Sequence, residues 1–178
     1  METLIGYRDW LASEAIKYGA IGPQEPGRLD RRHIGDSLLF SLLLDQNTLE
    51  VWDLGSGAGL PGIPLAIIRP QTHFVLIDRS QSRVGLLRRL IRILELDNVV
   101  VVHQDVFDLD QEIGCVVSRA AIPPDRAYPL VSKLIQPGGT AIFGGSWSST
   151  PQYQGWETLE VGSEVLDQPV WLLIMRRR

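Results

Sequence analysis

Residues 51–64 read Val51-Trp52-Asp53-Leu54-Gly55-Ser56-Gly57-Ala58-Gly59-Leu60-Pro61-Gly62-Ile63-Pro64, and the reading of this stretch decides the fold. A short apolar run ends in an acid, Asp53, and four glycines lead into a helical pattern. Glycine is required where backbone turns with positive φ or lies against a ligand with no Cβ between them. Such a turn belongs at the carboxyl end of a strand, where open α/β sheets bind nucleotides. About 20 residues further on, a second apolar run, 72–77, ends in Asp78, suited to the two hydroxyls of a ribose. The outline is that of a nucleotide-type cofactor site.

Gly57, Gly59 and Gly62 also satisfy the dinucleotide pattern G-x-G-x-x-G, so a dehydrogenase competes for this loop. Dinucleotide sites lay an anionic pyrophosphate on a helix N-terminus. An acid two residues before Gly55 is unhelpful to that anion. It suits instead a cofactor with a cationic amino acid head, as S-adenosylmethionine has in its ammonium and sulfonium. The form Asp53-x-Gly55-x-Gly57-x-Gly59 with a later strand-end acid is the usual opening of class I methyltransferases.

Outward from the loop, strand and helix patterns alternate. Strands are expected at 50–54, 72–78, 99–103, 113–118 and 140–144, and helices at 62–68, 81–95 and about 124–136. Pro70 stops the first of these helices and Ser80 can cap the second. The tail, 156–161 and 169–175, reads as an antiparallel pair. Ahead of the core, Leu4, Tyr7, Leu11, Ala15 and Tyr18 share a helical stripe, and a second helix is expected over 30–44. The expectation is an α/β fold: one Rossmann-like class I methyltransferase domain. Its mostly parallel seven-stranded sheet carries helices on both faces, with the last strand antiparallel and short N-terminal helices added. Residues 1–45 form the helical extension and 46–178 the core of that single domain.

At 178 residues the chain suits one core, and 44% apolar with 21% charged residues does not suggest disorder. No apolar run reaches the about 18 residues that span a bilayer, and the start of the chain, with Glu2, Asp9 and Glu14, lacks a signal-peptide pattern. Cys115 is the one cysteine, so no disulfide partner exists and it reads as a small core residue. These features lead us to expect a cytoplasmic monomer with no membrane contact and no metal.

The net charge of −4 argues against a protein that coats nucleic acid, yet the basic residues cluster. Arginine outnumbers lysine 15 to 2, and its planar fork suits phosphate. Arg28, Arg31 and Arg32 form one group, and Arg79, Arg83, Arg88, Arg89 and Arg92 another, followed by the terminal Arg176–Arg178. Of these, Arg28, Arg31, Arg32, Arg83, Arg88, Arg89 and Arg92 are the candidates for RNA phosphates; a solvated helix face is the competing reading of the second group.

Asp105, after the third core strand, can accept from an adenine amino group, with Val106 and Phe107 offering an amide and an apolar wall; a solvated acidic loop is the alternative. Arg119 ends the fourth strand, where an unpaired charge is costly. Three partners stay open for it: a cofactor carboxylate, an RNA phosphate, or Asp53 in a structural bridge. His33 either contacts substrate or packs as a structural histidine on the helical turn of Asp36.

At this point the chain resembles a particular family. Residues 53–67, Asp-Leu-Gly-Ser-Gly-Ala-Gly-Leu-Pro-Gly-Ile-Pro-Leu-Ala-Ile, are similar to the signature of the RsmG (GidB) family, guanine-N7 methyltransferases of small-subunit (16S) ribosomal RNA. Arg32-His33-Ile34-Gly35-Asp36-Ser37-Leu38 resembles that family's Arg-His-Ile-x-Asp-Ser block. Leu76–Ser80 with Arg83, Asn98-Val99 and Ser118-Arg119-Ala120 follow in order, so the likeness covers roughly 28–145. It implies S-adenosylmethionine as cofactor, ribosomal RNA or the small subunit as partner, and cofactor contacts at Gly55, Leu60, Val106, Phe107 and Arg119. With Asp53, Gly57, Gly59, Asp78 and Asp105 these make the expected cofactor set. The catalytic candidates are Arg119, His33 and Asp36.

The chain departs from the family at Gly19–Pro23, where Asn-Leu-Thr is usual, and at Phe143–Trp147, where a Lys-Gly pair is usual. Two other readings therefore stand beside the first: methylation of a small molecule, and a non-catalytic S-adenosylmethionine-binding paralogue. Guanine N7 offers a free lone pair, so no general base is required and positioning carries the catalysis. No Asn-Pro-Pro-Tyr type motif or paired cysteines point to amine or pyrimidine-carbon attack. Asp36 and Trp147 are candidates to stabilise the cationic product ring.

Overall fold

The computed structural model describes residues 2–145, 154–166 and 168–177. Seven strands form one sheet in the order β3-β2-β1-β4-β5-β7-β6. They are β1 (Glu50–Leu54), β2 (His73–Asp78), β3 (Val99–His103), β4 (Ile113–Arg119), β5 (Ile135–Gly145), β6 (Glu157–Val161) and β7 (Val170–Arg176). The first five run parallel, and β7 is antiparallel to both β5 and β6. β2 is buried continuously from Phe74 to Asp78, as a parallel strand covered on both faces must be. β1 pairs with β2 on one side and β4 on the other. Strand order reverses between β1 and β4, which opens the crevice where such sheets bind ligands.

Helices α1 (Glu2–Trp10), α2 (Asp36–Leu39), α3 (Gly62–Ile68), α4 (Gln81–Leu94) and α5 (Pro124–Leu134) complete the fold. The faces are unequally covered. One core gathers the N-terminal helices, α3 and α4 (Tyr7, Leu11, Phe40, Ile63, Leu87) against the sheet. The other, around Leu54, Val116 and Leu130, is roofed by α5 and a single 3-10 turn at Val106–Asp108. The extension thus shares the sheet's core. Tyr7, Leu11 and Ala15 of the expected stripe are buried, whereas Tyr18 is exposed. Gly19 (φ +67°) ends that segment in a Schellman closure: the Gly19 amide donates to the Ile16 carbonyl and the Ala20 amide to that of Ala15.

Two regions differ from the sequence reading by more than a single residue at an end. α5 stops at Leu134 because buried Ile135 pairs with Ile113 of β4, which drew two residues from the expected helix into β5. The helix expected at 30–44 is instead a π-helical segment, Leu29–Gly35, followed by α2 and a 3-10 turn at Phe40–Leu42.

Candidate functional site

The glycine loop bends because Gly55, Gly57 and Gly59 sit at φ +78°, +59° and +94°. The Gly55 and Ser56 amides both donate to the Ile77 carbonyl at 2.9 Å, lashing the loop to β2. The three glycines serve different ends. A Cβ on Gly55 would lie 2.5 Å from the Ala121 Cβ, and one on Gly59 would lie 2.5 Å from Ile63 Cγ1. On Gly57 it would meet nothing nearer than 3.9 Å, so this glycine alone turns its bare face to open space.

From the far side, the fully buried Tyr7 hydroxyl donates 3.0 Å to the Ala58 carbonyl. Nothing local in the sequence marks this contact, since it joins α1 to the loop across 51 positions. Tyr7→Phe is expected to lower stability by about 1–3 kcal/mol, because the Ala58 carbonyl loses its buried donor. The check is a thermal melt; an unchanged midpoint would refute the role.

Above the loop runs a groove of two joined lobes, each about 320 Å³, which share Gly55, Arg83, Ala120 and Ala121. The first brings together Asp78, Asp105, Val106 and Phe107, as expected of an adenosine seat. Asp78 accepts from the Gly57 amide at 2.9 Å and from the Ser80 amide at 2.8 Å, which leaves further lone pairs for a diol. Asp105 caps the 3-10 turn by accepting from the Phe107 amide, and the Arg126 guanidinium stacks 4.0 Å from the Phe107 ring centre. The second lobe is walled by Gly57, Leu60, Arg119, His33 and Glu25. A larger hollow, about 870 Å³, lies at the opposite end of the sheet beside Leu42 and Gln136, away from the glycine loop.

Asp53 is placed differently from the expectation. It has no accessible surface and lines neither lobe; its Oδ2 accepts from the Gly62 amide at 3.0 Å, and Oδ1 has no partner. A Cβ on Gly62 would come within 2.7 Å of that carboxylate, which explains the fourth glycine. Asp53 therefore shapes the loop from beneath. Its bridge to Arg119 does not form either: Arg119 Nη1 lies 3.2 Å from Asp36 Oδ2.

Arg119 is held by a buried cluster. Its Nη1 also reaches the Arg32 carbonyl at 3.5 Å, and its Nη2 donates to His33 Nδ1 at 3.2 Å. His33 Nε2 stands 3.3 Å from Glu25 Oε2, and Arg32 Nη1 3.4 Å from Glu25 Oε1. The His33 ring thus faces Glu25 and Arg119, and only its backbone carbonyl serves the Asp36 turn, accepting from Ser37 Oγ. Asp36 lies beneath Arg119 and outside the groove lining, so it does not face a product ring.

Burial and the Arg119 charge push the His33 pKa down to about 4. Burial raises the Asp36 carboxyl, with Arg119 opposing, and pushes Asp53 up to about 7. The two extremes act on stability with opposite sign. Between about pH 4 and 6.5 the unfolded chain takes up a proton at His33 that the native state refuses, so this group destabilises as pH falls. From about pH 4 to 7 native Asp53 keeps a proton that the unfolded chain releases, so this group destabilises as pH rises. Asp53→Asn removes the second effect and keeps an oxygen for the Gly62 amide. The stability of the native protein relative to this variant should fall between pH 5 and 7, by up to about 1 kcal/mol per unit. Urea midpoints at several pH values measure it, and a rising difference contradicts the assignment.

The basic groups are sorted by the fold. Arg83 lines both lobes, 3.8 Å from Asp78, while Arg28 and Arg31 are exposed beside the second lobe's wall segment. Arg88 instead donates to the Val101 carbonyl, Arg89 pairs with Glu14 at 3.3 Å, and Arg92 is exposed further along α4. Arg126, absent from the sequence candidates, joins the first lobe from α5. Trp147 lies outside the described residues. Among the described residues no cluster of His, Cys, Asp or Glu could hold a metal, and no helix is long and apolar enough to cross a membrane.

The family model described as rRNA small subunit methyltransferase G, GidB, matches residues 1–158. This chain belongs to the GidB family. A GidB-family relative named ribosomal RNA small subunit methyltransferase G, from Clavibacter sepedonicus, is 41% identical over 75% of this chain. The match spans 63% of that relative's length, just under two thirds. One of the same name from Corynebacterium efficiens is 34% identical over 99% of the chain and 83% of its own. A SAM-dependent methyltransferase structure from Aquifex aeolicus superposes with TM-score 0.62 at 14% identity, covering 86% of this chain and 94% of that one. The GidB chain described here therefore has the class I methyltransferase fold.

Proposed function

We propose that this chain is an S-adenosylmethionine-dependent methyltransferase acting on N7 of a guanine in small-subunit ribosomal RNA. One observation carries the reading: the continuous groove from Asp78 and Asp105, over the bare face of Gly57, to Arg119. Its dimensions and donor set fit the cofactor. Asp78 would accept from ribose hydroxyls, Asp105 from the adenine amino group, and Val106 and Phe107 would flank the base. The second lobe would take the amino acid end and the methyl. When bound, the cofactor supplies an electrophilic methyl group on its sulfonium.

Methylation at N7 needs no proton removed, and among the described residues the histidine that lines the groove is not free to remove one. His33 is engaged at both ring nitrogens, and its lowered pKa keeps it neutral. The chain's contribution is to hold two reactants in line, an effect worth about 7–11 kcal/mol in well-oriented systems. The target guanine must leave its stack to reach the groove, with Arg28, Arg31 and Arg83 on the groove side as the candidates to meet flanking phosphates. RNA affinity should accordingly fall steeply with salt.

The test is incubation with labelled S-adenosylmethionine and small subunits or their RNA from a strain lacking the modification. Label mapped to an N7-methylated guanine supports the proposal. Label only in small molecules, or cofactor binding without transfer, overturns it.

A further inference from the structure

We propose that Glu25 is a positioning residue: acting through the His33 ring, it fixes the Arg119 guanidinium in the wall of the groove. The inference rests on the reading of this groove as the cofactor site, but its spectroscopic test does not.

A guanidinium only donates, so the 3.2 Å contact from Arg119 Nη2 obliges His33 Nδ1 to accept. A neutral imidazole accepting at Nδ1 carries its proton on Nε2, and that N–H points at Glu25 Oε2, 3.3 Å away. Glu25 is thus the group that selects the tautomer Arg119 requires. Asp36, Arg32 and Arg119 are the other charged groups around the ring, and none of them is a second acceptor for Nε2.

The result can be counted on the guanidinium. Nη1 spends its two hydrogens on Asp36 and the Arg32 carbonyl, and Nη2 spends one on His33. The Nε atom is buried and has no partner, so the second Nη2 hydrogen is the donor the guanidinium keeps for an oxygen of a ligand in the groove that Arg119 lines. Without Glu25, the ring can carry its proton on Nδ1, which would face Arg119 donor to donor and push the guanidinium from its place. Glu25 also forms part of the groove wall contributed by the 20–25 loop, so ligand-facing geometry and tautomer are set by one side chain.

The test compares the native protein with Glu25→Ala and Glu25→Gln. Nitrogen-15 spectra resolve the imidazole signals of only three histidines, so His33 can be assigned by its own substitution. We expect the Nε2–H tautomer at pH 7 in the native protein, loss of that preference in Glu25→Ala, and its return in Glu25→Gln, whose amide oxygen accepts the same hydrogen. Turnover should fall roughly tenfold to a hundredfold in Glu25→Ala, the scale of a misplaced reactive geometry, and recover with glutamine. A native His33 protonated on Nδ1, or a tautomer unmoved by Glu25→Ala, overturns the inference. Should Glu25→Ala fail to fold, the native and Glu25→Gln spectra still decide it. A native protein that binds no S-adenosylmethionine in calorimetry refutes the functional reading instead, and leaves the tautomer result standing.

Discussion

Gly57→Asn is expected to lower affinity for S-adenosylmethionine more than about a hundredfold, roughly 2.7 kcal/mol, while the chain stays folded. The reason is the direction of the missing side chain. A Cβ there meets no protein atom nearer than 3.9 Å, so an added group projects into the groove. Asparagine is chosen because it tolerates φ near +59° better than other residues with a side chain of its size. Stability should therefore change by less than about 1 kcal/mol, a shift of the melting midpoint of roughly 2–4 °C. Calorimetry and a thermal melt on one preparation separate the effects. Full affinity in the folded variant would remove Gly57 from the site. The same substitution at Gly59 would fail differently, by striking Ile63 and Leu87 inside the core.

Arg119→Met is expected to abolish turnover and to destabilise the fold. The second effect comes from its buried pair with Asp36. With side chains only 14% and 6% exposed, the pair is protected from solvent, and removal of the arginine strands the carboxylate. Breaking a buried pair from one side costs about 3–5 kcal/mol, here a midpoint drop on the order of 10 °C. Asp36 Oδ1 is already without a partner, so the orphaned carboxyl would take up a proton more readily still. Adding Asp36→Asn should restore much of the stability, because no charge is then left uncompensated, yet turnover should stay lost. This non-additive cycle is the signature of contact. A double variant as unstable as Arg119→Met would show that Asp36 is not the partner, and recovered turnover would show that Arg119 has no role in the site.

The parts that could be read from the sequence are those fixed by neighbours in the chain. The acid–glycine run, the burial-driven apolar strands and Ser80 at the start of α4 all depend on local pattern, and the mostly parallel sheet followed from alternation. The function of each acid did not. Asp53 looked like a ligand group because it precedes the glycines, but its strand turns it inward, under Gly62. Arg88 and Arg89 read as part of one basic patch with Arg83, yet successive residues on a helix point to different sides. Arg83 stands at the helix start beside the groove, while the other two are tied to β3 and to the N-terminal helical segment. Tyr7 was missed because it acts across 51 positions, Arg126 because it meets Phe107 from another element, and Glu25 because it reaches His33 from an irregular loop that carries no periodic pattern. The one available sign was that Arg119, ending an apolar strand, demanded an anion; that anion proved to be Asp36.

The groove's two walls are supplied by distant parts of the chain, with His33 meeting Arg119 across 86 positions and Tyr7 meeting Ala58 across 51. Closing such long intervals costs entropy before any contact compensates for it. As the polypeptide emerges from the ribosome, the first segment has its apolar stripe ready but no seat until α3 and α4 follow, and His33 has no Arg119 to meet until β4 is complete. Ligand capture therefore becomes possible only at the end of maturation, and a nascent chain halted before Arg119 would hold an intact glycine bend yet half a receptor.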